Sequence, residues 1–249
     1  MESPVTFLRG EFKLLQQRRR IDGKDFLWLV NNEERRQDCE ILVGGVKGAA
    51  TIWDCETGEI RPITSLQGGA GAQVKLHFRP LEAYWLVFDP TLPAQTVPEA
   101  PRQEVALTIS GPWMVTFDAK VQPTMEFPSV PPSEFAAGVE KPLEDWKNWT
   151  APKFSGLLDY TKTIEVEKGG GQMWLDLGKV CHAAEVWVNG QSVGAKLWGP
   201  YVFDVGKALR SGKNEIRVRV ANLINNSYGD IQESGLFGPV TVQKCVEAR

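Results

Sequence analysis

Glu185, Trp187 and Asn189 fall on alternate positions of one short run, and Trp174 holds the same parity in the run before it. An indole face can stack on the C–H face of a pyranose, while a carboxylate, an amide and a guanidinium such as Arg217 can hydrogen-bond its hydroxyls. These residues are therefore candidates for a sugar platform. Trp198 and Tyr201, flanking Gly199-Pro200, offer a loop alternative. The competing reading has the same tryptophans covered, either by the first half of the chain or by the segment 121–152. Cleaving a glycosidic bond would ask for more, namely two carboxyl groups about 5–10 Å apart on a rigid floor. Asp176, Glu185, Asp204, Asp230 and Glu233 are the candidates, but no spacing pairs any two of them, so no catalytic residue is assigned. Asp204, in Phe-Asp-Val, suits a turn cap better. With His77 and His182 as the two histidines and no G-x-S-x-G, a Ser-His-Asp hydrolase has no basis.

The elements that must position these groups are strands. In 215–220 the apolar side chains recur every second residue without a fault, and Val186 and Val188 point opposite to Trp187. Asn189-Gly190 supplies the positive backbone angles of a tight hairpin. Further runs at 12–20, 25–30, 40–43, 50–53, 60–63, 74–78, 84–88, 105–109, 113–118, 157–166, 172–177 and 201–205 are separated by turn residues such as Asp22-Gly23. Turn signals every ten or so residues predict an all-β chain of two sandwich domains. The first covers 1–89, a linker with four prolines occupies 90–103, and the second covers 104–249 with a proline-rich insertion at 121–152 and one helical turn near 143–149. The cluster Gln67-Gly68-Gly69-Ala70-Gly71 lacks the Lys-Ser/Thr of a phosphate loop and is expected to be a flexible hairpin.

The 249 residues carry a formal charge of -3, which offers no field for nucleic acid or anionic lipid, so neither partner is expected. Arg18-Arg19-Arg20 ends an alternating run and reads as a solvated edge. The four cysteines, Cys39, Cys55, Cys181 and Cys245, form no metal-ligand spacing. A Cys39–Cys55 pair and free buried thiols both stay open, as does any metal ligand. Met1 to Thr6 has no basic start leading into an apolar run, and no window reaches the ~20 apolar residues of a membrane span. No export signal is expected in the sequence as given, and its compartment stays open.

Several stretches in order also carry a resemblance: Trp113 after Ser110-Gly111-Pro112, Phe154-Ser155-Gly156 leading to Tyr160, Leu175-Asp176-Leu177-Gly178, Val186 to Gly190 with Gly194, Pro200 to Val205, 212–218 and 235–240. Over roughly 104–244 they resemble the galactose-binding-like jelly roll known as the sugar-binding domain of family 2 glycoside hydrolases. Residues 19–32 and 52–60 resemble the β-domain that follows the catalytic barrel in family 106 glycoside hydrolases, the α-L-rhamnosidases, which carry such a jelly roll downstream. In that family the barrel holds the catalytic carboxylates and a bound calcium, and it has no counterpart in this sequence. Jelly rolls of this class also often hold one structural calcium, for which no ligands stand out here; no other cofactor is expected. The resemblance implies a periplasmic or extracellular parent, a carbohydrate partner, with a rhamnose-containing glycan in view, and a catalytic-barrel domain or subunit as neighbour. Three functions follow from it: a non-catalytic accessory region bracing such a barrel and contacting glycan, a free-standing carbohydrate-binding module, or a structural, partner-binding sandwich without sugar contacts. The first requires an apolar patch on the first domain where a barrel would dock.

Overall fold

The structure, a computed structural model, describes residues 5–98, 102–122, 133–149, 153–167 and 171–246. The chain divides into two compact units, Met1–Ala100 and Pro101–Arg249. Both are built almost wholly of antiparallel strands, and no helix among the described residues is long and apolar enough to cross a membrane.

The described residues of the first unit form nine strands: β1 (Val5–Arg9), β2 (Leu14–Ile21), β3 (Lys24–Asn31), β4 (Gln37–Gly44), β5 (Ala49–Trp53), β6 (Ile60–Ile63), β7 (Ser65–Gly68), β8 (Gly71–Phe78) and β9 (Ala83–Asp89). They pair as β1-β4-β8-β7 and β2-β3-β9-β5-β6, and the two sheets enclose Leu27, Leu29, Ile41, Val43, Leu76, Phe78, Leu86 and Phe88. Period-two alternation does this sorting: along β3 each buried residue is followed by a half-buried one. The β2–β3 hairpin turns on Asp22 and Gly23, with φ of 50° and 79°, as a primed turn requires.

Buried polar groups in this unit are tied down. Asp25 receives hydrogen bonds from Arg18 and Arg20, so two of the three arginines grip one buried carboxylate while Arg19 stays exposed. Asn31 donates to the carbonyls of Arg35 and Arg79 and accepts from the Glu33 amide, replacing solvent for a side chain fully inside.

Strands β1 and β7 were not expected from the sequence. β7 is short and glycine-ended, with too few residues to show a period. The glycines beside it serve a close backbone approach: a Cβ at Gly71 would lie 2.0 Å from the Val43 carbonyl oxygen. The stretch 90–98 is fastened to the first unit, because the Ala49 amide donates to the Leu92 carbonyl and Thr64 exchanges hydrogen bonds with Val97. The next strand begins at Arg102.

In the second unit the described residues give twelve strands: β10 (Arg102–Thr108), β11 (Trp113–Thr116), β12 (Val139–Lys141), β13 (Leu157–Val166), β14 (Met173–Asp176), β15 (Lys179–Cys181), β16 (Ala183–Val188), β17 (Gln191–Lys196), β18 (Val202–Asp204), β19 (Gly212–Ala221), β20 (Gly235–Gly238) and β21 (Thr241–Val246). A four-stranded sheet, β10-β21-β14-β18, faces a six-stranded sheet, β12-β11-β13-β19-β16-β17, with a small β15-β20 pair at one end. Their shared interior holds Met173, Leu175, Phe203 and Val242 from one sheet and Tyr160, Val186, Val188, Ile216, Val218 and Val220 from the other.

The proline-rich insertion contributes to this interior. Phe135, Trp146 and Trp149 are buried in the core, the last two on a short 3-10 turn at Trp146–Trp149. Trp146 Nε1 donates to the Tyr160 hydroxyl, which also accepts from the Leu236 amide, and Trp149 Nε1 donates to Glu144 at 3.0 Å. Phe127 and the turn at 168–170 lie outside the described residues.

Candidate functional site

The outward face of the six-stranded sheet carries one part of the expected platform. Cross-strand register sets Met114, Thr161, Arg217, Trp187 and Ser192 in a row, and Thr116, Asp159, Arg219, Glu185 and Ala195 in the next. Arg219 holds Asp159 in a two-pronged contact at 2.7 and 2.8 Å, and Arg217 reaches the same carboxylate at 3.6 Å. The Arg217 guanidinium lies 3.7 Å from the centre of the Trp187 ring, with Arg219 at 5.4 Å. That stacking occupies an indole face which a sugar ring would need.

Trp174 does not join Trp187. It belongs to β14 in the opposite sheet, and both indoles point away from the interior, so the two stand on opposite outer faces of the sandwich. Equal parity in two nearby strands places side chains together only when the strands share a sheet, and these do not. Around Trp174 the cross-strand neighbours are Asp204 and Gln243.

Asn189 is the corner of the β16–β17 hairpin. With φ of 53° it donates to the Ala208 carbonyl and to Asn214, and accepts from the Glu215 amide. It fastens three segments, and both N–H donors of its amide are committed. Tyr201 is buried, with its hydroxyl donating to the His182 carbonyl, and burial pushes its pKa up to about 12. Trp198 is the opposite case: it is 72% exposed, beside Leu197 at 70%. Of the six candidate contact residues, Trp198 is the one whose ring stands largely open on the surface.

The carboxylates are dispersed. Asp176 accepts from the Gly178 amide and Gln243, Asp204 caps the turn at Gly206, and Glu233 pairs with Lys179 at 2.6 Å. Asp176 and Glu185 sit on opposite sheets. His182 has its imidazole held below the usual range by burial, against the opposing pull of Glu233. Among the described residues no group of three or more His, Cys, Asp or Glu side chains converges. Cys39, Cys55, Cys181 and Cys245 form no disulfide; burial holds the Cys39 thiol at about 12.

A further aromatic row lies in the first unit. Trp28, Trp85 and Trp53 come from three strands far apart in the chain, yet register aligns them side by side on the outer face of the β2-β3-β9-β5-β6 sheet. The available signal was the run Phe26 to Val30, apolar on both parities, where a one-sided sheet would alternate.

Comparison with known proteins fits this architecture. Residues 145–246 match the family described as glycosyl hydrolase 2 galactose-binding domain-like. The rhamnosidase from Novosphingobium sp. PP1Y shares the fold at a TM-score of 0.73 and 29% identity, over 97% of this chain and 25% of that one. A putative beta-glucuronidase of Formosa agariphila is 30% identical over 143 residues, 53% of this chain and 11% of that protein. A second such protein of the same organism is 32% identical over 89 residues, 34% of this chain and 9% of its own length. The chain thus spans a quarter or less of these relatives. Its second unit is a galactose-binding-like jelly roll of the kind associated with glycoside hydrolases, in an all-β chain of two sandwiches.

Proposed function

We propose that the chain is a non-catalytic accessory region of an α-L-rhamnosidase-like glycoside hydrolase, bracing a catalytic module and contacting glycan. The observation that carries this reading is the match of nearly the whole chain, both units in order, to one quarter of a rhamnosidase. The chemistry supports it. Hydrolysis needs two carboxyl groups held across a cleft, whereas Asp176, Asp204 and Glu233 are each engaged in a turn or an ion pair. Purified chain is expected to release no nitrophenol from an aryl α-L-rhamnoside; measured turnover would sink the proposal.

Glycan contact in this reading belongs to the loop at Trp198. The exposed indole there is free of the arginine that occupies Trp187. The same exposure favours a second reading, a carbohydrate-binding module acting by itself. Affinity electrophoresis in rhamnose-rich polysaccharide tests both: retardation abolished by Trp198→Ala supports glycan contact, and migration unchanged from that in plain gel removes it.

A further inference from the structure

The outer face of β2-β3-β9-β5-β6 differs from the other sheet faces described above. Gln17, Trp28, Trp85, Trp53 and Ile60 form one row across all five strands, and Arg19, Phe26, Val87, Thr51 and Pro62 form the next. Phe26 meets Trp53 and Trp85 edge-on, at 5.5 and 6.1 Å, and Trp28 leans on Trp85 at 5.1 Å with 53° between the planes. Leu15 and Ile60, 43% and 57% exposed, widen the patch, and Arg19 stands exposed at its rim.

The geometry selects the class of occupant. A sugar ring stacks on a flat, open ring face, but these rings pack edge to face and half-bury one another, leaving a corrugated floor. Tryptophan, phenylalanine and arginine around an apolar centre are the composition of a protein interface. The outer face of β1-β4-β8-β7 carries instead the Asp38–His77 pair, a Glu40–Gln73 contact and Lys75. The six-stranded sheet of the second unit carries the Asp159–Arg219–Arg217 cluster. Charged and polar groups dominate those two faces, where Leu66 and Met114 are single exposed apolar side chains rather than a contiguous aromatic row.

We infer that the Trp28–Trp85–Trp53 face is the docking surface for the carboxylate-bearing module of the parent glycoside hydrolase. This rests on the accessory-region reading. Its occupant follows from two facts: the matched rhamnosidase has three quarters of its length beyond the part this chain resembles, and a glycosidase needs a carboxyl pair that this quarter does not assemble. The module that must supply the pair is the protein surface at hand to cover the patch.

The test places the photocrosslinker p-benzoylphenylalanine at Gln17, beside Trp28, in the full-length protein made in its source cell. Lys75 and Trp198 serve as comparison positions, and crosslinked peptides are identified by mass spectrometry. The expected result is a crosslink from Gln17 to a glycoside hydrolase catalytic module, in the same polypeptide or another. Trp28→Ser with Trp85→Ser should weaken it at least about tenfold, as loss of two interface anchors does. Where that double change disturbs folding, Arg19→Glu at the rim should weaken the same crosslink. Capture of such a module from Lys75 or Trp198 but not from Gln17 overturns the docking face and leaves the accessory reading standing. Capture from none of the three overturns both. Loss of polysaccharide retention in the double variant, with no crosslink from Gln17, would reassign the face to glycan.

Discussion

At the residue scale, Trp187 shows how a side chain suited to one chemistry is committed to another. Its face is stacked by Arg217, itself drawn toward Asp159. Trp187→Ala is therefore expected to lower unfolding stability by about 1–2 kcal/mol, the scale of a partly desolvated cation–π contact, and to leave polysaccharide retention unchanged. Urea denaturation beside affinity electrophoresis reads both; lost retention with unchanged stability would contradict the assignment. Tyr160 is a sharper case, because its buried hydroxyl accepts from the Trp146 indole and the Leu236 amide. Tyr160→Phe keeps the ring and leaves two buried donors unmet, so a loss of about 1–3 kcal/mol is expected. A midpoint within error of the parent's would show that those donors find water.

At the element scale, the β2–β3 hairpin is locked by Asp25 between Arg18 and Arg20. Burial pushes the Asp25 carboxyl up, and the two arginines more than offset it, so its folded pKa lies below the unfolded one. Asp89, hydrogen-bonded by Lys24 and Thr91, is held at about 2. For a carboxyl with a depressed folded pKa, the stabilisation is fully present above the unfolded value near 3.9 and is lost as pH falls toward the folded value. The first unit should thus lose stability between about pH 4 and 2, and Asp25→Asn should flatten that slope while weakening the unit at neutral pH. Thermal melts at pH 7, 4 and 3 decide; an equally steep acid slope in the variant would refute the role.

Most strands were legible because their evidence is local: 215–220 shows unbroken alternation, and Asn189-Gly190 and Asp22-Gly23 mark turns by residue type. β7 was not legible, since four residues carry no period. The site was less legible than the strands. Parity told correctly that Trp174 and Trp187 face outward, but which sheet each strand joins depends on pairing across long stretches of chain, and that information is not in the period. The Trp28–Trp85–Trp53 row was hidden for the same reason.

At the scale of the whole molecule, two sandwiches with a jelly roll in second place match one quarter of a rhamnosidase, and a half-buried aromatic face lies on the outer side of one sheet of the first unit. If that face is normally covered, the isolated chain should bind a hydrophobic dye such as anilinonaphthalene sulfonate, with fluorescence falling severalfold in Trp28→Ser/Trp85→Ser. Equal dye binding by parent and variant would place the exposed apolar surface elsewhere.

The margin of that same sheet has a bearing on how such a region survives on its own. β6 is an outermost strand, and Pro62 within it brings no N–H. A second molecule seeking to extend the sheet there finds a gap in the hydrogen-bonding template. Pro62→Val would restore a continuous template beside a tryptophan-rich surface, and favour fibrous assembly.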